Sequence, residues 1–85
     1  MCDFSVGNFK NLYNIGEKIS NNIYGNEGAN ITIEITNPKN QKYLRYGKVG
    51  LNNFSNEDFN LEGEYKISFS YNNLTKPIVI NKTLN

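Results

Sequence analysis

The sequence predicts an all-β chain, an antiparallel β-sandwich of about seven strands. Three observations predict it. First, two stretches alternate cleanly. Over residues 30–36, Ile31, Ile33 and Ile35 are separated by Thr32 and Glu34. Over residues 64–71, Tyr65, Ile67, Phe69 and Tyr71 are separated by Lys66, Ser68 and Ser70. A period of two puts one side of a strand in a core and the other in water. Second, no window places apolar residues at helical spacing over three turns, and alanine occurs once, at Ala29. The apolar set is Ile, Val, Phe and Tyr, which suits pleated surfaces. Third, clusters of Asn and Gly interrupt the chain at intervals of roughly ten residues, the rhythm of short strands joined by turns.

The elements follow in order. Residues 3–6 (Asp-Phe-Ser-Val) form a first short strand that stops at Gly7-Asn8. Residues 9–13 carry Phe9 and Tyr13 and end at Asn14-Ile15-Gly16. Residues 17–24 place Ile19 and Ile23 around Asn21-Asn22 and stop at the Gly25–Gly28 cluster. The strand at 30–36 ends at Asn37-Pro38, because proline cannot donate to a ladder. Residues 42–49 alternate less cleanly, with Tyr43, Leu44, Tyr46 and Val49. Residues 51–61 hold Leu51, Phe54, Phe59 and Leu61 around Ser55-Asn-Glu-Asp, where Ser followed by acids signals one helical turn crossing between sheets. The strand at 64–71 follows. Residues 76–84 close the chain around Pro77-Ile78-Val79-Ile80, with Pro77 at a sheet edge or a strand start.

Eighty-five residues make one domain, 1–85. A chain this short buries about 60% of the surface it exposes when unfolded, so a water-excluding cleft would use up much of its core. Nine basic residues face eight acidic ones. Only residues 39–48 are locally basic, too small a patch for a nucleic-acid face. The single cysteine, Cys2, excludes an internal disulfide and a cysteine-type zinc site. The longest apolar run is Ile78-Val79-Ile80, so neither membrane insertion nor a signal peptide within this chain is expected. Seventeen asparagines make it loop-rich.

Three segments, in order, carry a resemblance. Tyr13-Asn-Ile-Gly-Glu-Lys-Ile19 resembles the "Y-x-x-G-(D/E)-x-(I/V)" opening of Ig-like and macroglobulin-type domains in bacterial and archaeal surface proteins. Ile31-Thr-Ile-Glu-Ile-Thr-Asn-Pro-Lys-Asn40 is similar to their strand and turn, and Phe59-Asn-Leu-Glu-Gly-Glu-Tyr-Lys-Ile67 to their "F-x-L … G-x-Y-x-I" close. The match covers most of residues 13–71 and leaves 1–12 outside. It departs at Ile15, where the pattern has Pro, and in the Asn-rich loop before the close. The resemblance implies an Ig-like antiparallel β-sandwich, with Gly63 allowing a tight turn into a strand and Tyr65 packing at the sheet corner. It also implies an extracellular spacer, adhesion or assembly module without catalysis.

Candidate chemistry is sparse. Histidine is absent, so no Ser-His or Cys-His pair can form. Glu62 and Glu64 flank Gly63 on one strand face and read as solvated. The segment Asn52–Asp58 is oxygen-rich but lacks calcium-loop spacing, and no metal or cofactor is expected. A Lys–Asn cross-link inside the core needs an inward lysine; Lys66 alternates outward and Lys18 lies near a strand start, so neither fits. Sequons stand at Asn30, Asn53, Asn73 and Asn81. Exposed tyrosines give contact area at little entropic cost. Tyr43, Arg45 and Tyr46 form the candidate contact patch. The expected function is a non-enzymatic structural or adhesive module on a cell or virus surface. It acts by protein–protein contact or by self-assembly through an edge strand, with the Pro77 strand as the first candidate. The alternatives are a carbohydrate-binding module using the Tyr/Arg face, or a phage or virus decoration protein.

Overall fold

The computed structural model describes residues 4–84, so Cys2 and Asp3 lie outside the described residues. Eight strands are described: β1 (Ser5–Val6), β2 (Leu12–Asn14), β3 (Ile19–Tyr24), β4 (Asn30–Thr36), β5 (Lys42–Lys48), β6 (Gly50–Phe54), β7 (Gly63–Tyr71) and β8 (Leu74–Thr83). They form two sheets of the β-sandwich kind, ordered β1-β3-β6 and β2-β8-β7-β4-β5. All pairings are antiparallel except β2 with β8.

The two cleanly alternating stretches become β4 and the heart of β7, which lie side by side with Ile33 opposite Phe69 and Ile35 opposite Ile67. Alternation decides which side chains enter the core. Ile31, Ile33 and Ile35 of β4 and Tyr65, Ile67 and Phe69 of β7 are all buried. Ile19 and Ile23 of β3 face them from the other sheet. Each such isoleucine contributes about 1.5–3 kcal/mol on leaving water. Phe9, Phe54, Phe59 and Phe69 fill the interior as a ring cluster with centroid separations of 5.8–6.3 Å. Asn21 occupies the inward position between Ile19 and Ile23; its Nδ2 donates to the Asn8 carbonyl at 3.2 Å.

The joints between sheets depend on particular residues. Ser55 caps a 3-10 turn over Asn56–Phe59, its Oγ accepting from the Glu57 N–H. That turn carries the chain from β6 in one sheet to β7 in the other and buries Phe59. Tyr65 then stands fully buried near the start of β7. Its hydroxyl accepts the Leu61 N–H at 2.9 Å, tying the end of the crossover to the strand that follows. Tyr65→Phe is expected to lower unfolding free energy by about 1–2 kcal/mol, because a half-buried N–H loses its acceptor. A fall in the urea midpoint at constant slope would show it; an unchanged midpoint would mean that water serves Leu61 equally well.

The β7–β8 hairpin turns on Asn72 and Asn73, at φ 52° and 70°. Two successive left-handed residues fit the twist of the flanking strands, and asparagine tolerates them. Strand β8 begins at Leu74, two residues before the expected start. Asn81 donates its N–H to the Asn11 carbonyl, on the side away from β7. By the two-residue period, Pro77 turns the same way. Its missing N–H therefore falls on the free edge and costs no ladder bond.

Candidate interaction surface

Strand β5 lies at the edge of the five-stranded sheet and pairs with β4 along all seven residues. Tyr43 stands opposite Ile35 and Arg45 opposite Ile33, so both project from the inner face. At the sheet margin they overhang the rim of the core. Leu44 and Tyr46 project from the outer face, opposite Glu34 and Thr32. The structure therefore brings Tyr43 and Arg45 together and sends the Tyr46 ring to the other side, where it is 75% exposed.

Both inner residues are engaged by Asp58 of the 3-10 turn. The Arg45 Nε and Nη2 groups donate to the two Asp58 carboxylate oxygens at 2.8 Å each. The Tyr43 hydroxyl donates to the Asp58 carbonyl at 2.6 Å. The guanidinium carbon lies 5.0 Å from the Tyr43 ring centroid. A forked pair of this kind is directional, and Asp58 is largely shielded from water. It fastens β5 to the crossover turn and uses the charge of Arg45, leaving Leu44 and Tyr46 as the large hydrophobic side chains of the strand that face solvent.

Burial pushes the Tyr43 phenol up to about 12, with the neighbouring Tyr65 and Asp58 adding to the effect. Burial also raises Tyr65. A phenol whose folded pKa exceeds its unfolded value holds its proton longer in the folded state. Its contribution to stability is present below pH 10 and is lost as pH rises from 10 to about 12. Tyr43→Phe is expected to flatten this alkaline decline, leaving the part due to Tyr65. Urea midpoints across that range, with tyrosinate absorbance followed in parallel, provide the check; an identical decline in the variant would count against the assignment.

The outward peptide groups of β5 are partly covered. Asn52 of β6 folds back so that its Oδ1 accepts the Lys48 N–H at 3.2 Å and its Nδ2 donates to the Lys48 carbonyl at 2.6 Å. Arg45 Nη1 donates to the Leu44 carbonyl at 2.7 Å. Between β5 and β6 lies a cleft of about 190 Å³, bordered by Ile33, Arg45, Tyr46, Asn52, Phe54 and Asp58. At the turn end a wider polar groove of about 390 Å³ is lined by Lys39, Gln41, Tyr43, Glu57, Asp58 and Asn60, among others. Among the described residues no three acidic or cysteine side chains gather as cation ligands. No helix among them is long and apolar enough to cross a membrane.

A second charged feature is Lys82 of β8, 2% exposed. Its Nζ donates to the carbonyls of Asn14 and Glu17 at 2.9 Å each and lies 5.6 Å from the Tyr13 ring centroid. Burial holds its pKa below the ordinary lysine value. The Glu17 carboxylate in turn accepts from Lys10 and from the Asn14 N–H, and these contacts lower its pKa. The inward lysine of this fold is therefore Lys82, and both hydrogen bonds of its ammonium go to main-chain carbonyls. Its inward position was readable from the series Ile78, Ile80, Lys82. The Asp58 and Asn52 contacts had no such signal, since each depends on where a crossover places a polar residue.

No protein-family model, curated protein or solved structure matches this chain.

Proposed function

We propose that the chain is a non-enzymatic Ig-like β-sandwich module, displayed on a cell or virus surface, that works by protein–protein contact. Several features support the Ig-like reading. The order β8-β7-β4-β5 corresponds to the G-F-C-C′ order of such sandwiches, and β3 paired with β6 corresponds to B with E. The Tyr65 hydroxyl bonded to the main chain four residues upstream corresponds to their tyrosine corner. Fold alone assigns no activity, so the function rests on the surface.

The observation that carries it is the β5 edge: seven residues paired on one side only, with Leu44 49% and Tyr46 75% exposed on its outer face. Exposed strand edges take up other chains through main-chain hydrogen bonds. The carbohydrate alternative would use the Tyr43 ring, but Arg45 lies over it and its hydroxyl is engaged.

Adhesion tests this reading. Beads coated with the domain are expected to adhere to one another or to cells of the producing organism, and beads coated with an unrelated sandwich are not. A panel of soluble saccharides is expected to leave amide resonances of Tyr43, Arg45 and Tyr46 unmoved. Beads that adhere to nothing, together with saccharide shifts at those residues, would replace the contact reading with the carbohydrate one.

A further inference from the structure

Protein–protein contact through β5 can be carried to a specific edge, register and occupant, and that assignment rests on the contact reading itself. Among the described residues, three edges longer than those of β1 and β2 compete. Along β8, residues 74–80 lie beyond the reach of β2, which pairs only with Asn81, Lys82 and Thr83. Pro77 interrupts the outward N–H groups there. Along β6, residues 50, 52 and 54 turn their peptide groups to β3, so only Leu51 and Asn53 offer outward ones. Along β5, the contacts of Asn52 with Lys48 and of Arg45 with the Leu44 carbonyl lie on the side away from β4. They identify Lys42, Leu44, Tyr46 and Lys48 as the residues whose peptide groups turn outward. Lys48 is closed by Asn52. The run from Lys42 to Tyr46 contains no proline and pairs with β4 alone.

We propose that a second copy of this chain pairs antiparallel with β5, with Leu44 on the two-fold axis. The register follows from what each alternative would oppose. A Tyr46-centred register brings Leu44 against Lys48, whose peptide groups Asn52 already holds. A parallel register sets Lys42 beside Lys42 of the second copy and Lys48 beside Lys48. The Leu44-centred register instead exchanges main-chain bonds between Lys42 and Tyr46 in both directions. It also pairs the Leu44 N–H groups with carbonyls that keep a second lone pair beside Arg45. On the outer face it lays each Lys42 ammonium against a Tyr46 ring and sets leucine on leucine. A cation thus meets an electron-rich ring face, never another cation. The interface is isologous and closes at two copies, joining two five-stranded sheets into one continuous sheet.

Pairing of a single short edge covers less than the roughly 1,200 Å² typical of stable complexes, so the dimer is weak in dilute solution. Display of many copies on a surface supplies the effective concentration that makes such a contact hold.

Sedimentation velocity with reducing agent, from roughly 10 μM to 1 mM, a range suited to weak complexes, tests the proposal. The weight-average mass is expected to rise towards a dimer and stop there. Tyr46→Pro removes an outward N–H without touching the bonds to β4. Leu44→Lys puts like charges on the axis. Both are expected to stay monomeric, and Val79→Lys on β8 to behave as the parent chain. If Tyr46→Pro loses amide-resonance dispersion and so fails to fold, Leu44→Lys decides. A monomer throughout, growth beyond two copies, or a dimer that survives Leu44→Lys would each overturn the β5 pairing. A strict monomer whose coated beads still adhere to cells would overturn this pairing while leaving the contact reading standing; beads without adhesion would sink both.

Discussion

Lys82→Ala is expected to lower the unfolding free energy by about 3 kcal/mol, measured as a fall in urea midpoint at unchanged slope. The loss has two parts. The buried stem leaves a cavity beside Tyr13, and the Glu17 carbonyl loses its donor, each costing roughly 1–2 kcal/mol. The Asn14 carbonyl is less affected, because it keeps the Glu17 N–H at 2.9 Å. Lys82→Met separates the parts. It retains the stem and removes a charge whose desolvation is costly, so it is expected to cost only about 1 kcal/mol. A methionine variant as unstable as the alanine one would show that the ammonium is the essential feature.

The same lysine gives a pH signature with a definite sign. Burial depresses the folded pKa below 10.5. Between that lower value and 10.5 the unfolded chain holds a proton that the folded chain has released. This group alone therefore makes stability rise with pH in that window. The Tyr43 and Tyr65 phenols act in the opposite direction above pH 10. Lys82→Met is expected to remove the rise and leave the later decline.

The position of Lys82 also shows where sequence reading works. Strands β4 and β7 were legible to within about a residue because every inward position is apolar and every outward one polar, a pattern with one solution. The 3-10 turn was legible from Ser55 and the acids after it. Strand β2 was not. The expected strand over 9–13 is in fact mostly a crossing, because the chain leaves β3 after Gly7 and reaches β8 only at Leu12. Phe9 turns into the ring cluster on the way, and one buried ring in a crossing looks the same in sequence as one in a strand. The candidate patch divided for a related reason. Tyr43, Arg45 and Tyr46 are close in sequence, but a strand sends residues 43 and 45 to one face and 46 to the other. Their roles then depend on Asp58, thirteen residues beyond Arg45, which no local pattern announces.

Gly63→Ala is expected to cost about 3 kcal/mol, for two separable reasons. Gly63 has φ 130°, a conformation that L side chains rarely adopt, worth roughly 1–2 kcal/mol of strain. A Cβ there would also stand 2.8 Å from Pro38 Cβ and 3.0 Å from its Cγ. Displacing a packed ring costs about another 1–2 kcal/mol. For a domain this size each kcal/mol lowers the melting temperature by about 4–8 °C, so the loss is easily read. Adding Pro38→Gly removes the ring and should return the second part alone. A double variant as unstable as the sum of the singles would mean that the ring moves aside freely and strain is the whole effect. The contact has consequences beyond stability. Pro38 sits in the turn that launches β5, held by the Asn37 Oδ1, which accepts the Lys39 and Gln41 N–H groups at 2.9 and 3.0 Å. Pushing the proline outward tilts that turn, and with it the free edge beginning at Lys42. Gly63→Ala is therefore expected to weaken the proposed β5 pairing at temperatures where the domain is still fully folded, linking the tight turn into β7 to the surface on the opposite margin of β4.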